Sequence, residues 1–316
     1  MSNSHPSFGL VAAAVVSCLV SAARPARSDS TFPQLVEQWS VLTLAGPPHP
    51  VEGLRLTAGH LTLTLVRGDA IPVLAGDQVV GLFFRGQGTL EHLSVDPVEA
   101  PVVSHNVRKN TRLTLAPEGK TLRIRGSFEE VLWLAEAGAL PALPPAVSPV
   151  NPGEAFARHV KRFGRIHASP AAHQFVAWRL NTPDRPFVRA EIAGGSEDLV
   201  YIFDGADAKS ETLLSVSKRR LHDTALEDRL ELTVLSDQPV GRDRKDTLPP
   251  RFVLTDVDLA VTASDRKDVS ISVTETIRVL AEPTSVLVMD LWDTRFAVTN
   301  VGGLEPRRLR LKGVFD

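Results

Sequence analysis

Alternation with a period of two constrains this chain more than any other feature. Leu61, Leu63 and Leu65 alternate with Thr62 and Thr64, and Leu122 and Ile124 alternate with Thr121, Arg123 and Arg125. Such spacing turns one set of side chains to a buried sheet face and the other to water, as in antiparallel strands. It returns downstream in Leu230, Leu232 and Val234, in Val269, Ile271 and Val273, and in Leu309 and Leu311. Turn formers punctuate the first block at short intervals: Gly46-Pro47-Pro48, Gly59, Gly68-Asp69, Gly76-Asp77, Gly86, Gly88 and Pro117-Glu118-Gly119. The denser apolar run Val79–Arg85 (VVGLFFR) reads as a central strand covered on both faces. The pattern predicts a mainly β chain with a short helical middle segment, a small antiparallel β domain being followed by a β-sandwich.

The period changes in the middle. Ser127 and Glu130 are spaced as a capping box ahead of FEEVLWLAEAG, with Gly138 where a helix would stop, so a helix is expected there. Five prolines within GALPALPPAVSPVNPG (138–153) mark a stiff linker. Asn151-Pro152 then opens a helix expected to run to about Phe163, and Ser169-Pro170 opens another over AAHQFVAWRL. The expected organisation is a signal peptide over 1–28, an N-terminal β domain over 29–126, a helical connector with a Pro-rich linker over 127–182, and a C-terminal β-sandwich over 183–316.

The signal peptide rests on FGLVAAAVVSCLVSAA (8–23), an uncharged run too short for a bilayer core of about 30 Å and followed by small residues suited to cleavage. Its leader, MSNSHPS, lacks the usual Lys or Arg. Cys18, the single cysteine, follows Val15-Val16-Ser17 in loose likeness to a lipobox. The apolar run continues through Leu19-Val20, which favours a cysteine packed in a discarded signal over a lipid anchor. Cleavage near residue 28 removes Arg24 and Arg27 and no acids, taking the net charge from -2 to -4. The expected product is exported, periplasmic or extracellular, without disulfides and reliant on its hydrophobic cores. The charge balance gives no bulk attraction to nucleic acid or, after signal cleavage, to an anionic membrane.

Reactive groups are scattered. No two of the nine histidines (His5, His49, His60, His92, His105, His159, His167, His173 and His222) are four apart, so HExxH is absent. His159, His167 and His173 cluster in the helical region at spacings that match no ligand pattern. Asp256 and Asp258 share a strand face, and Asp204 and Asp207 flank a turn, without the alternate acids and glycine of a calcium loop. Gly194-Gly195-Ser196 reads as a hairpin turn rather than a nucleophile elbow, and Gly86-Gln87-Gly88 as a strand bend or bulge rather than a dinucleotide loop. Glu129-Glu130 suit a helix N-terminus, Lys218-Arg219-Arg220 and Arg307-Arg308 a solvated face, and Trp133 and Trp178 a helical core. No catalytic, cofactor-binding or metal-binding residue is assigned, and no cofactor is expected.

Two stretches, GDQVVGLFFRGQGTLEHLSVDPVEAPVVSHN (76–106) and RLNTPDRPFVRAEIAGGSEDLVYIFD (179–204), resemble the leading region of secreted bacterial proteins related to the M1, aminopeptidase N-like, metallopeptidases. DVSISVTETIRVLAEPTSVLVMDLWDTRFAVTNV (268–301) is similar to the opening strands of the M1 N-terminal sandwich, including the step Thr274–Ile277. M1 enzymes bind zinc through HExxH with a downstream Glu and hold the substrate's amino end with GxMEN. This chain has neither, so no active-site residue carries over. The resemblance implies an exported, non-catalytic β-rich protein that stops before the peptidase domain and acts in binding or scaffolding. Its implied partner is a separately encoded peptidase domain or another protein. The competing expectation is a hydrolase or metal-dependent enzyme whose dispersed residues, such as His159, His167 or Glu154, meet across a cleft.

Overall fold

The structure is a computed structural model. It describes residues 32–96, 98–118, 121–136, 140–146, 152–164, 171–181, 185–205, 211–218, 230–238, 252–263 and 269–279. The expected signal peptide and Cys18, His5, His167, His222, Asp207, Arg219, Arg220, Arg307, Arg308 and the strand near Leu309 lie outside these residues. Among the described residues, no helix is long and apolar enough to cross a membrane.

The chain is mainly β, and its strands pair antiparallel. The main sheet contains β1 (Leu42–Leu44), β2 (His49–Ala58), β3 (Leu61–Ala75), β4 (Gln78–Ser94), β5 (Thr114–Glu118), β6 (Thr121–Ala135), β7 (Phe187–Gly195), β8 (Leu199–Asp204), β9 (Glu211–Lys218) and β10 (Leu230–Gln238). Its order is β1-β3-β4-β6-β7-β8-β9-β10, with β2 beside the first part of β3 and β5 beside the first part of β6. Residues 128–135 of β6, within the segment expected as a helical connector, pair with β7, so the strands on either side of the Pro-rich linker belong to one sheet. A separate hairpin is formed by β11 (Phe252–Ala263) and β12 (Val269–Val279).

Three long strands carry the architecture, and they bend together. The register slips between Leu65 and Arg67 where β3 pairs β4, and between Arg85 and Gly88 where β4 pairs β6. Across these slips β4 keeps one parity inward, with Leu82, Phe84 and Leu90, while the inward parity swaps on β3 and on β6, where Ile124 and Phe128 give way to Val131 and Trp133. Leu61, Leu63 and Leu65 pack with Ala70 on the inner face, whereas Val73 and Ala75 join the outer one. Glycines make the bend sterically possible. A Cβ on Gly68 would overlap the carbonyl oxygen of Arg85, and one on Gly88 would overlap the Phe128 ring. The bulge reading of Gly86-Gln87-Gly88 thus coincides with the structure.

The inner face, with Leu82, Phe84, Leu90, Phe128, Trp133, Ile192 and Tyr201, holds the larger core. At about 1.5–3 kcal/mol for each large apolar side chain buried, these residues dominate the drive to fold. One end of this core is filled by α2 (Ala100–Asn110), whose Val103 and Val107, one helical turn apart, are buried among the strands. The outer face is covered by α1 (Phe32–Ser40), α3 (Gly153–Phe163) and α4 (Ala171–Asn181). Here Phe175 stacks on Trp39 with centroids 4.0 Å apart and meets Trp178 and Phe187 edge-on. The charges of α3 oppose its dipole, Glu154 in the first turn and Lys161 and Arg162 in the last.

The helices α3 and α4 form where the prolines pointed. The helix expected over FEEVLWLAEAG does not: those residues belong to β6. Val131, Trp133 and Ala135 face the inner core while Leu132 and Leu134 face the outer one, so the run is buried on both sides as a central strand. Ser127, expected to cap a helix, instead donates its backbone N–H to the Ser196 hydroxyl at 3.0 Å. Trp133 is a core residue, on a strand rather than a helix, and Trp178 is a core residue of α4. Gly194 and Gly195 end β7 at the turn into β8, a hairpin as expected.

Candidate polar site at the sheet seam

The bend brings the β2–β3 turn against β8, β9 and β10, and this seam is polar. Gly59, with φ of +52°, turns the chain so that His60 faces Glu211; a Cβ on Gly59 would stand 2.9 Å from the Tyr201 hydroxyl. Glu211 is fully buried, although it opens a strand that continues inward with Leu213. A buried carboxylate needs donors, and four supply them. The backbone N–H of His60 donates to Oε1 at 2.8 Å and its ring Nδ1 to Oε2 at 2.7 Å. Tyr201 donates its hydroxyl towards Oε1 at 2.8 Å, and Gln238 donates Nε2 to Oε2 at 3.3 Å. The Tyr201 oxygen also lies 2.7 Å from the Ala58 carbonyl, so its single proton serves two acceptors.

Gln238 extends the seam to the end of β4. It donates to the Leu93 carbonyl at 2.9 Å and accepts the Val95 N–H at 2.8 Å. His92 is buried on the same inner face, its Nε2 3.2 Å from Glu211 Oε1 as a charge contact without hydrogen-bond alignment. Burial alone would raise the Glu211 pKa. The bond from His60, the proximity of His92 and the positive character of both rings outweigh it and hold the carboxyl down at about 2. Burial, and then the Glu211 charge, push the Tyr201 phenol upward, so it remains a donor.

A second cluster lies on the outer face. His159 of α3 is buried, stacked on Phe163 at 4.7 Å, with Nδ1 3.5 Å from Glu130 Oε2. Glu130 is held below its usual range chiefly by His159, against a smaller effect of burial, and Arg85 lies 3.6 Å from its other oxygen. Nearby, Asp198 pairs with Arg162; burial pushes its pKa up despite that guanidinium. Further along, Arg189 is buried with its Nε 3.1 Å from Glu191 and its Nη1 2.7 Å from Gln174 of α4.

The residues considered as a dispersed active site do not all meet. His159 sits in this outer cluster, Glu154 is exposed and 3.7 Å from Arg158, and His167 lies outside the described residues. His49 bonds the Pro144 carbonyl, His105 is exposed on α2 and His173 lies on α4. Asp256 and Asp258 stand on β11 opposite Thr276 and Thr274. Among the described residues, no three His, Cys, Asp or Glu side chains converge as metal ligands. A shallow cleft of about 540 Å³ at the bend is lined by Arg67, Asp69, Arg85 and Gln87.

Family models, curated proteins and solved structures give no match to this chain. The M1-like resemblance therefore rests on its own sequence stretches. Chemically, the seam is a set of donors satisfied by one carboxylate, and the partners of His60 were not legible from histidine spacing. One signal was available: Glu211 and His92 occupy positions whose parity matches the core-facing Leu213 and Leu90.

Proposed function

We propose that this chain is an exported, non-catalytic binding or scaffolding module, comparable to the leading modules of an M1-like peptidase. The supporting observation is the saturation of Glu211. A carboxylate offers about four acceptor positions, and four donors from three elements already occupy them. An acid engaged in this way, with Tyr201 shared between it and the Ala58 carbonyl, ties the β2–β3 turn to β8 and β10 and is turned to the fold rather than to a substrate. The M1-like stretches and the signal-like leader give the module its setting.

Metal analysis and hydrolase assays of the full chain test this reading. Protein purified without chelators is expected to carry far less than one zinc per chain and to leave ester and aminoacyl-anilide substrates intact. Stoichiometric zinc or multiple turnover would overturn it. One observation favours the enzymatic alternative: His92 and His159 are buried beside carboxylates, and their ring nitrogens make no hydrogen bond among the described residues. If that reading holds, replacing either histidine abolishes turnover while the fold survives.

A further inference from the structure

We propose that the outer face of α2 docks an acidic, partly aliphatic segment of a partner protein, an inference that rests on the binding reading above and names the partner's chemistry. The helix is two-sided. Val103 and Val107 anchor one side in the core, and Asn106 donates to the Val234 carbonyl at 2.9 Å, fixing α2 against β10. The helical spacing of Pro101, Ser104, His105, Arg108 and Lys109 leaves these residues together around a shallow depression of about 390 Å³.

Two independent properties of this face point to the same occupant. The first is charge. His105, Arg108 and Lys109 are exposed and make no ion pair among the described residues. Acids flank the helix at its start, Asp96 accepting the Val98 N–H and Glu99 at the N-cap, whereas His105, Arg108 and Lys109 lie in its later turns. In a chain of 35 basic and 37 acidic residues, an unbalanced basic face is a local exception. Arg108 and Lys109 also suit the C-terminal dipole of α2, but that accounts for neither His105 nor the apolar surface. The second property is that surface. Val98 is 78% exposed, Val102 60% and Val234 47%, so three of the six exposed large apolar side chains among the described residues belong to α2, its approach or the strand it bonds. Basic side chains around the depression, with exposed valines flanking it on the helix, its approach and β10, match a segment with carboxylates about one turn apart beside an aliphatic side chain. Among the described residues, the face has no aromatic platform for stacking bases and no bulky residue for insertion into lipid.

The test is fluorescence anisotropy of the full chain with two labelled peptides, one of alternating Glu and Leu and one of Glu alone. The Glu-Leu peptide should bind more tightly than the Glu peptide. R108E/K109E, and the milder R108Q/K109Q should the reversal fail to fold, should weaken both, the reversal by about tenfold or more. V98S/V102S should weaken only the Glu-Leu peptide. Thermal midpoints should stay near that of the parent chain. The proposal is overturned if all folded variants bind like the parent, or if phosphatidylglycerol vesicles or single-stranded DNA compete for α2 more tightly than the Glu-Leu peptide. Either outcome leaves the non-catalytic reading standing, whereas zinc or turnover would remove that reading without moving these affinities.

Discussion

His60 and Glu211 are 151 residues apart in the chain, yet one carboxylate binds both the backbone N–H and the ring of that histidine. This pair of hydrogen bonds joins a turn made early in the chain to a strand made late. Replacing the acid with its amide removes the charge and turns one of the two acceptor oxygens into an NH2 group, which then faces the donors of His60 and Gln238 or of Tyr201. Glu211→Gln should cost about 2–4 kcal/mol, seen as a lower midpoint in urea unfolding. An unchanged midpoint would show that the seam contributes nothing.

The same carboxylate makes stability depend on acid in a defined direction. Its folded pKa, about 2, lies below its ordinary 4.5. The contribution is therefore complete above pH 4.5 and is lost as pH falls towards 2, by on the order of 3 kcal/mol in all. Urea midpoints taken between pH 6 and pH 2 should drop in the parent chain and drop less in Glu211→Gln. Parallel curves would exclude Glu211 as the source.

Asp198 should act in the opposite sense. Burial raises its folded pKa, so its charged form opposes folding as pH rises through the carboxylate range, with Arg162 offsetting part of that cost. Asp198→Asn should flatten this component, and Arg162→Met should enlarge it. The comparison is between midpoints at pH 4 and pH 7.

The bend predicts steric intolerance at glycines inside strands. Gly68→Ala and Gly88→Ala place a methyl group against a backbone carbonyl and an aromatic ring respectively. Each should cost about 3 kcal/mol or more. In a Gly88→Ala background, Phe128→Leu should restore part of the loss by making room, measurable as partial recovery of the thermal midpoint. No recovery would mean that the ring is not the obstacle.

Trp39 tests the docking of α1. Its ring stacks on Phe175, and Leu35 of the same helix is buried in the same cluster. Trp39→Ala should cost about 3–5 kcal/mol and expose α1 to protease before the sheet. Simultaneous cleavage throughout would indicate that α1 and the sheet unfold together.

Alternation made the strands legible, because leucines at every second position have one arrangement that buries them. Residues 127–135 misled for a physical reason. FEEVLWLA combines good helix formers with cap-like spacing, and propensity yields when a strand is covered on both faces. The helix over Ala100–Asn110 was hidden by its β-branched valines, though Pro101 in its first turn and the Val103–Val107 spacing were usable signals. The polar seam depends on a bend that swaps strand parity, so His60, His92 and Glu211 meet only after the sheet has formed.

The positions that shut the seam, 59–60 and 92–95 on one side and 201–238 on the other, also set the order of events during synthesis. A ribosome releases the long hairpins first, and of the later partners of their apolar inner faces only α2 follows at once. Until Gln238 has emerged, the growing polypeptide presents those faces to its surroundings, so its final closure is a late and long-range event.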